Sequence, residues 1–302
     1  MNNISKEILE KYQIRKNKKQ KTEFIEFLRA HFPELAVEEG GFGKNRNLVI
    51  GNISSAKAVL GAHYDTCAVM PVPNFIMPKR PVLSVLYSLI IVAIFVLICG
   101  AFGAAVGIAV KDEYIATRSA MLLYWVLLIL LFLGPANKHT VNDNTSGVIT
   151  LVELMSSMTE EERAQYCFVF FDNEEKGLLG SSFFAKQHKE EMEDKLLINF
   201  DCVSDGDNLM FIANKKAYPE YAEKLGTAFA EAEGKTVLIE NEKGTHYPSD
   251  QRNFKKNIAV AALKKGRIGL YMDRIHTPRD TVMDEKNIEL LKSGIKKFLE
   301  QI

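Results

Sequence analysis

Neither sign of charge is in excess in this chain of 302 residues, because 38 Lys and Arg residues balance 38 Asp and Glu residues. A field of one sign over the whole protein, of the kind that attracts nucleic acid or acidic substrates, is therefore excluded. We expect no nucleic-acid partner. Any charge that matters for function has to be local.

Cysteine is scarce as well. The four cysteines form no CxxC pair and no regular framework, and Cys99 lies inside a hydrophobic run. This excludes a disulfide scaffold and is typical of a reducing compartment. The N-terminal segment is charged and lacks a continuous apolar core, so we do not interpret it as a secretory signal. The composition otherwise suits a globular chain with one sizeable core.

Long hydrophobic runs, by contrast, are present. Residues 81–110 and residues 119–136 carry no charge, and only the polar segment KDEYIATR separates them. About 20 apolar residues suffice to cross a bilayer, and soluble core helices seldom run this long without a polar face. The sequence therefore predicts a transmembrane helical hairpin at residues 81–136, inserted between two parts of one globular domain at residues 1–80 and 137–302.

Basic residues at the base of this hairpin indicate its orientation. Lys79 and Arg80 precede the first span and Lys138 follows the second, whereas the connecting segment balances its charges. The positive-inside rule predicts that both termini and the globular domain are cytoplasmic. Within the first span, Gly103 and Gly107 have a GxxxG spacing that would let the helices pack closely, although small residues are common in such helices anyway.

A basic run near the N-terminus is expected on a solvated face. Its members could instead contact anionic lipid, since a membrane hairpin is predicted on the same chain. They are Arg15, Lys16, Lys18, Lys19 and Lys21.

Outside the hairpin, apolar runs alternate with amphipathic stretches. Short runs rich in Val, Ile and Phe occur at residues 47–50, 58–62, 166–171, 196–201, 209–213, 236–239, 258–263 and 267–272. This alternation predicts an α/β fold, a three-layer α/β/α sandwich around a mainly parallel mixed sheet. In such sheets, ligands bind at the carboxyl ends of the strands.

Acidic residues and histidines follow these predicted strands or precede a helix. They are His63, Asp65, Asp143, Glu174, Glu175, Asp201 and His276. Two histidines and three carboxylates suit a pair of zinc ions that share one bridging carboxylate, with a further carboxylate as general base. Glu174 and Glu175 could divide these jobs, one binding metal and the other acting on water.

Six short motifs occur in an order that resembles the co-catalytic zinc aminopeptidases and carboxypeptidases of peptidase family twenty-eight. They are HYD at 63–65, DNTSG at 143–147, NEEKGLLGS at 173–181, NFD at 199–201, SDQRNF at 249–254 and IHTPRDT at 275–281. The resemblance covers residues 20–300 apart from the hairpin. One departure is Asn142, where relatives have a small residue. The larger departure is the hairpin itself, which puts the route of substrate access in question.

The resemblance implies a role for each site residue. Asp143 would bridge two Zn2+ ions and have a cis bond to Asn144, and Glu174 would be the general base. Asp65 would fix the His63 ring, and Asp280 would support the last loop. The metal ligands would be His63, Asp143, Glu175, Asp201 and His276.

The function implied is that of a membrane-anchored di-zinc exopeptidase. We expect an aminopeptidase that hydrolyses N-terminal residues from peptides by a metal-activated hydroxide. Alternatives on the same fold are a carboxypeptidase or dipeptidase, a glutaminyl cyclase, and an inactive binding module anchored by its hairpin. The segment NEEKG resembles the peptidase version rather than the cyclase version.

Overall fold

The computed structural model describes residues 1–232 and 234–302. In this part of the chain nine strands form one sheet in the order β1-β2-β4-β3-β5-β8-β6-β7, with β9 paired to β8. The strands are β1 (Ala36–Gly40), β2 (Asn45–Ile50), β3 (Ala58–His63), β4 (Cys167–Phe171), β5 (Leu196–Phe200), β6 (Asn208–Ala213), β7 (Thr236–Asn241), β8 (Asn257–Gly266) and β9 (Gly269–Tyr271).

The centre of the sheet is parallel and its flanks are mixed. Strand β3 runs parallel to β4 and to β5, and β5 runs parallel to β8. The β1–β2, β2–β4 and β6–β8 pairs are antiparallel. The carboxyl ends of the four central strands therefore meet at one edge, where the motifs predict the site. The predicted α/β class and mixed sheet are confirmed.

Helices outside the hairpin cover both faces of the sheet, and the described residues form nine α-helices in all. They are α1 (Asn3–Lys11), α2 (Lys18–His31), α3 (Pro81–Val110), α4 (Glu113–Leu133), α5 (Gly147–Ser157), α6 (Glu160–Arg163), α7 (Leu179–Gln187), α8 (Tyr218–Ala228) and α9 (Glu285–Leu299). On one face α5, α8 and α9 bury the larger core, and on the other α7 packs a smaller one.

The strands supply both cores because successive side chains point to opposite faces. In β5, Ile198 and Phe200 join the larger core, whereas Leu197 joins the smaller one. Every residue of β3, β4 and β5 is buried. These strands are therefore continuous apolar runs, as expected for parallel strands covered on both faces.

The basic run near the N-terminus does not form one solvated face, so that expectation is wrong for two of its members. Arg15 is fully buried and Lys21 is 5% exposed. Lys21 Nζ pairs with Asp172 and lies 2.9 Å from Asn173 Oδ1. The long stems of Arg and Lys tolerate burial where acceptors meet the charged end. Both cations therefore belong to the interior rather than to a surface that meets lipid.

Two long apolar helices, α3 and α4, form the inserted hairpin, and both are long and apolar enough to cross a membrane. Only Lys111 and Asp112 separate the two helices. Helix α4 begins at Glu113, six residues before the uncharged run, because the Asp112 carboxylate accepts hydrogen bonds from its first turn. A Cβ added at Gly103 would lie 2.7 Å from the Ala116 carbonyl oxygen. The GxxxG spacing thus lies at a close helix contact.

The base of the hairpin is attached to the catalytic part beside the end of β3. Main-chain hydrogen bonds join Val69 N to the Pro135 carbonyl at 2.9 Å and Asn137 N to the Cys67 carbonyl at 3.1 Å. The Tyr87 hydroxyl donates to the Pro73 carbonyl at 2.9 Å. The hairpin therefore leaves the catalytic part at the edge that carries the predicted site.

Candidate metal centre

The sheet brings the five predicted metal ligands together at its carboxyl edge. His63 is the last residue of β3, and Asp201 directly follows β5. Glu175 lies in the turn after β4, and His276 lies in the loop after β9. Asp143 occupies a distorted turn before α5. Each side chain therefore comes from a different segment, and the fold alone unites them.

Asp143 lies between the two histidines, with one carboxylate oxygen toward each. Its Oδ1 is 3.3 Å from His63 Nε2, and its Oδ2 is 3.1 Å from His276 Nε2. Asp201 Oδ1 lies 3.6 Å from His63 Nε2, and Glu175 Oε2 lies 3.3 Å from His276 Nε2. The donors thus form two groups, each with one histidine and one carboxylate of its own, that share Asp143.

Glu174 lies on the His63 side of the centre. One of its carboxylate oxygens, a His63 ring nitrogen and an Asp201 oxygen all lie within 4.8 Å of one another. On the other side, Glu175 and His276 form an equivalent group with Cys67. The two adjacent glutamates therefore face different groups, as the proposed division of their roles requires.

Asp65 connects the His63 strand to the glutamate turn. Its carboxylate accepts hydrogen bonds from Glu174 N at 2.9 Å and from Glu175 N at 3.3 Å. The His63 Nδ1 atom lies 3.1 Å from the main-chain carbonyl oxygen of Asp65 and 3.6 Å from its carboxylate. The Asp65 carboxylate thus holds the turn of both glutamates, a role that the sequence did not reveal, whereas the main-chain carbonyl of Asp65 is the closer contact to the His63 ring.

Asp280 fixes the main chain at the shared carboxylate. Its two oxygens accept from Asn142 N at 2.7 Å and from Asp143 N at 3.0 Å. The Asp143–Asn144 peptide bond is cis, as the resemblance implied. Asn142, the departure from the usual small residue, accepts through its side chain from Ser204 N at 2.8 Å. This residue therefore ties the Asp143 turn to the loop after β5.

The amino-acid sequence matches the model of one protein family. A model of peptidase family M28 matches residues 131–297, more than half of the chain. The chain belongs to peptidase family M28. No curated protein matches the sequence.

Solved structures with a similar fold to this M28 chain include three from different bacteria. Glutaminyl cyclase of Porphyromonas gingivalis is 14% identical over 99% of this chain and 96% of that chain, with a TM-score of 0.59. A Zn-dependent exopeptidase from Parabacteroides distasonis is 14% identical over 99% and 94%, with a TM-score of 0.57. LapA aminopeptidase of Legionella pneumophila is 12% identical over 98% and 69%, with a TM-score of 0.55. At these identities the likeness shows the fold alone.

The donor set of this M28 chain fits zinc. Imidazole nitrogens and carboxylate oxygens are zinc ligands, and the side chains of the five predicted ligands are between 1% and 17% exposed. Among the described residues, the Glu175 Oε1 atom is buried without a hydrogen-bond partner. A buried carboxylate oxygen of this kind is costly unless a cation or a donor faces it. Together with the family, these features support a zinc metallopeptidase.

The charges in the centre depend strongly on one another. Burial raises the pKa of Glu175 to about 8 and the pKa of Glu174 well above its ordinary value. Burial disfavours the charged His276 ring, yet Glu175 and Asp143 raise its pKa to about 9. Acidic and basic groups of the M28 site therefore compete for protons in the same small volume, and a bound dication would favour the ionised acids and the neutral rings.

Two cysteines lie beside the ligands and were not recognised as part of the site from the sequence. Cys67 joins the Glu175 and His276 group, and the Cys202 thiol is 3.1 Å from Asp201 Oδ1. Burial raises the pKa of both thiols well above the usual range. Without a cation beside them, both thiols are therefore held in the neutral form.

Asp250 is a second residue whose place the sequence did not reveal. It belongs to the quoted SDQRNF motif, but no role was assigned to it. Asp250 is fully buried, and burial raises the pKa of its carboxyl to about 7. Its charge also acts on Glu174, whose pKa it raises further. Its position inside a matched motif was the signal that could have identified it.

Two neighbouring residues, His246 and Tyr247, follow strand β7 and have different environments. Tyr247 is buried, and its hydroxyl donates to the Asp201 main-chain oxygen at 3.1 Å. His246 is exposed, and its main-chain N–H donates to the Pro78 carbonyl at 2.8 Å. Tyr247 therefore supports the Asp201 segment, whereas His246 lies at the base of the hairpin.

Proposed function

We propose that this M28 chain is a membrane-anchored zinc aminopeptidase that removes N-terminal residues from peptides. His63, Asp143 and Asp201 would hold one Zn2+ ion, and Asp143, Glu175 and His276 would hold a second. The observation that carries the proposal is the position of Asp143, whose two oxygens face different histidines at 3.3 and 3.1 Å. Such sharing is the arrangement that a two-metal hydrolase requires.

The chemistry that two zinc ions supply when bound is Lewis-acid polarisation of a carbonyl and a nucleophile at neutral pH. The side chain of Glu174 then moves the proton. As a carboxylate it accepts the proton of the attacking water, and it delivers that proton to the nitrogen of the leaving amine. The hydrogen bond from Glu174 N to Asp65 holds the glutamate turn in place while its charge changes.

Anchoring in the membrane is supported by the exposure of the hairpin. Among the described residues, the large hydrophobic side chains that are exposed outside residues 81–133 are Phe42 and Ile268. Contiguous apolar surface of the extent found on α3 and α4 is rare on soluble monomers. The basic residues Lys79, Arg80 and Lys138 at its base support a cytoplasmic catalytic part.

The experiment that tests this function is a substrate panel on detergent-purified protein, with and without a chelator. Aminoacyl p-nitroanilides, N-blocked dipeptides and a peptide with N-terminal glutamine distinguish aminopeptidase, carboxypeptidase and cyclase activity. We expect chelator-sensitive release of p-nitroaniline. Turnover of only the blocked dipeptides or only the glutamine peptide would replace the proposal with one of those alternatives.

Elemental analysis tests the number of ions and separates an enzyme from a binding module. We expect two zinc ions per chain, and we expect His276→Ala to lose the ion held by His276 and Glu175. Loss of a ligand costs most of the affinity because the remaining buried carboxylates lack a partner. A purified chain without zinc that remains folded would indicate the inactive module instead.

A further inference from the structure

The hairpin contributes a wall to the cavity at the metal centre. This cavity has a volume of about 150 Å³, and its lining includes Glu175 and His276 from the ligand set. Leu131, near the end of α4, lies in the same wall together with Met70. A residue of the predicted membrane insert therefore lines the space that a substrate would occupy.

A second cavity, of about 100 Å³, lies next to the first along the hairpin. The two cavities share Met70 and Leu131 in their linings. Apart from the Tyr124 hydroxyl, the side chains that line the second cavity are apolar; they include Val72, Ile91, Phe95 and Leu128. An apolar space therefore opens beside the metal ligands, between the chain leaving β3 and the two helices of the hairpin.

Met70 is held in place at the junction of the two cavities. Its main-chain N–H donates to the His276 carbonyl oxygen at 2.8 Å, and its sulfur lies 3.3 Å from His276 Nδ1. His276 itself has a positive φ of 64°, a conformation that non-glycine residues seldom adopt outside functional sites. The wall between the cavities is thus fixed to a proposed metal ligand.

Charges in a third cavity, which shares Lys176 with the metal-centre cavity, favour one direction of the substrate. This neighbouring cavity, of about 310 Å³, is lined by more cations than acids. Lys18, Lys44, Arg46 and Lys176 contribute positive charge, whereas Glu39 is acidic and Lys21 is paired with Asp172. Lys176 also lines the metal-centre cavity. Cations attract the carboxylates of a peptide and repel its terminal ammonium group. The carboxyl-terminal part of a peptide therefore suits the cationic side, and its first side chain suits the apolar side.

We propose that the apolar cavity beside Met70 and Leu131 binds the side chain of the substrate's N-terminal residue, so that the hairpin selects peptides with an apolar first residue. This inference rests on the proposed aminopeptidase function. An apolar cavity of this kind stays dry and accepts apolar groups, whereas a charged side chain would lose its hydration there. Each additional methylene that fits gains a factor of about 10 or more in kcat/KM.

The test compares the hydrolysis of leucine and alanine p-nitroanilides by two tryptophan variants of α4. Leu131→Trp fills the shared wall, whereas the control Leu133→Trp lies two residues away at a position that is 71% exposed. We expect Leu131→Trp to lower the ratio of kcat/KM for leucine over alanine by about 10-fold or more. The control should leave that ratio unchanged.

A variant in the opposite direction keeps the test informative if the tryptophan disturbs the helix. Leu131→Ala enlarges the cavity, so the ratio of kcat/KM for phenylalanine over alanine should rise. An unchanged ratio in both Leu131 variants would overturn the proposal and would indicate that another group, such as a lipid acyl chain, occupies the cavity.

A binding experiment separates failure of this proposal from failure of the proposed function. The thiol introduced by Leu131→Cys is labelled with a maleimide in the presence of leucinamide or glycinamide, with Leu133→Cys as the control. The four native cysteines are buried. We expect protection of the Leu131→Cys variant by leucinamide only, even if no p-nitroanilide is hydrolysed. Equal labelling with both amides would overturn the proposal whatever the activity is.

Discussion

The edge of the sheet that carries the predicted metal site and the hairpin have opposite distributions of polar and apolar side chains. At the sheet edge, polar side chains from distant segments are buried and bonded to one another, as Asp280 is to the Asp143 main chain. In the hairpin, apolar side chains are exposed and the polar contacts are confined to its two ends. The first region depends on exact partners, whereas the second depends on close packing and on its surroundings.

This difference teaches where a substitution should act on chemistry and where it should act on packing. A buried polar group that loses its partner is costly, because water does not replace the lost hydrogen bond. An apolar helix surface tolerates exchange among apolar residues, provided that the close contact near Gly103 is kept. The following variants therefore compare substitutions of buried polar groups in the catalytic part with a substitution in the hairpin.

The largest effect is expected for Glu174→Gln at the sheet edge. Loss of the proton acceptor should lower kcat by a factor of about 100 to 10,000, while the zinc content stays the same because Glu174 is not a proposed ligand. Steady-state kinetics on an aminoacyl p-nitroanilide, combined with elemental analysis, measures both. Full activity of this variant would refute the assignment of the general base.

A large loss of stability is expected for Lys21→Met. The Lys21 and Asp172 side chains are 6% and 3% exposed, so methionine would leave a carboxylate buried without its cation. The free energy of unfolding should fall by about 3–5 kcal/mol. The control Lys19→Met removes a lysine whose side chain is 86% exposed. It should change the free energy of unfolding by less than about 0.5 kcal/mol. Denaturant unfolding in detergent measures both, and equal losses would contradict the buried role of Lys21.

A smaller effect on the metal is expected for Asp65→Asn. The asparagine keeps the shape but weakens the acceptor for Glu174 N and Glu175 N. Groups that orient metal ligands typically contribute a factor of about 10–100 to metal affinity or activity. Competition with a zinc chelator measures the affinity. An unchanged affinity and activity would show that the main-chain carbonyl of residue 65 is sufficient to orient the His63 ring.

The smallest effect is expected in the hairpin, for Gly103→Leu. A side chain there meets Ala116 and Ala120, whereas an added Cβ at Gly100 has no atom within 4 Å. Overpacking should cost about 1–3 kcal/mol for Gly103→Leu, and Gly100→Leu serves as the matched control on the same helix. Thermal melting followed by circular dichroism in detergent distinguishes them. If both variants melt alike, the close packing of α3 and α4 does not contribute to stability.

Most of the fold follows from the local sequence pattern. For each element that could not be predicted in this way there is a physical reason. The central strands were predictable because they are continuous apolar runs bounded by turns. Helices α1 and α2 were not, since both begin with polar, capped turns and more than half of the residues in each are not buried. Strand β1 was missed because none of its residues is buried. Helix α4 begins before its apolar run because Asp112 caps the first turn of the helix.

The sequence by itself determined the chemistry that is available and the presence of a long apolar insert, because residue type and local composition can be read along the chain. The ligand motifs and the family resemblance come from the same source. Only the tertiary structure decided that Arg15 and Lys21 are buried, that Asp65 holds the turn of Glu174, and that Leu131 lines the cavity at the metal centre. These contacts join segments far apart in sequence, so they depend on which strand ends meet and not on any local preference.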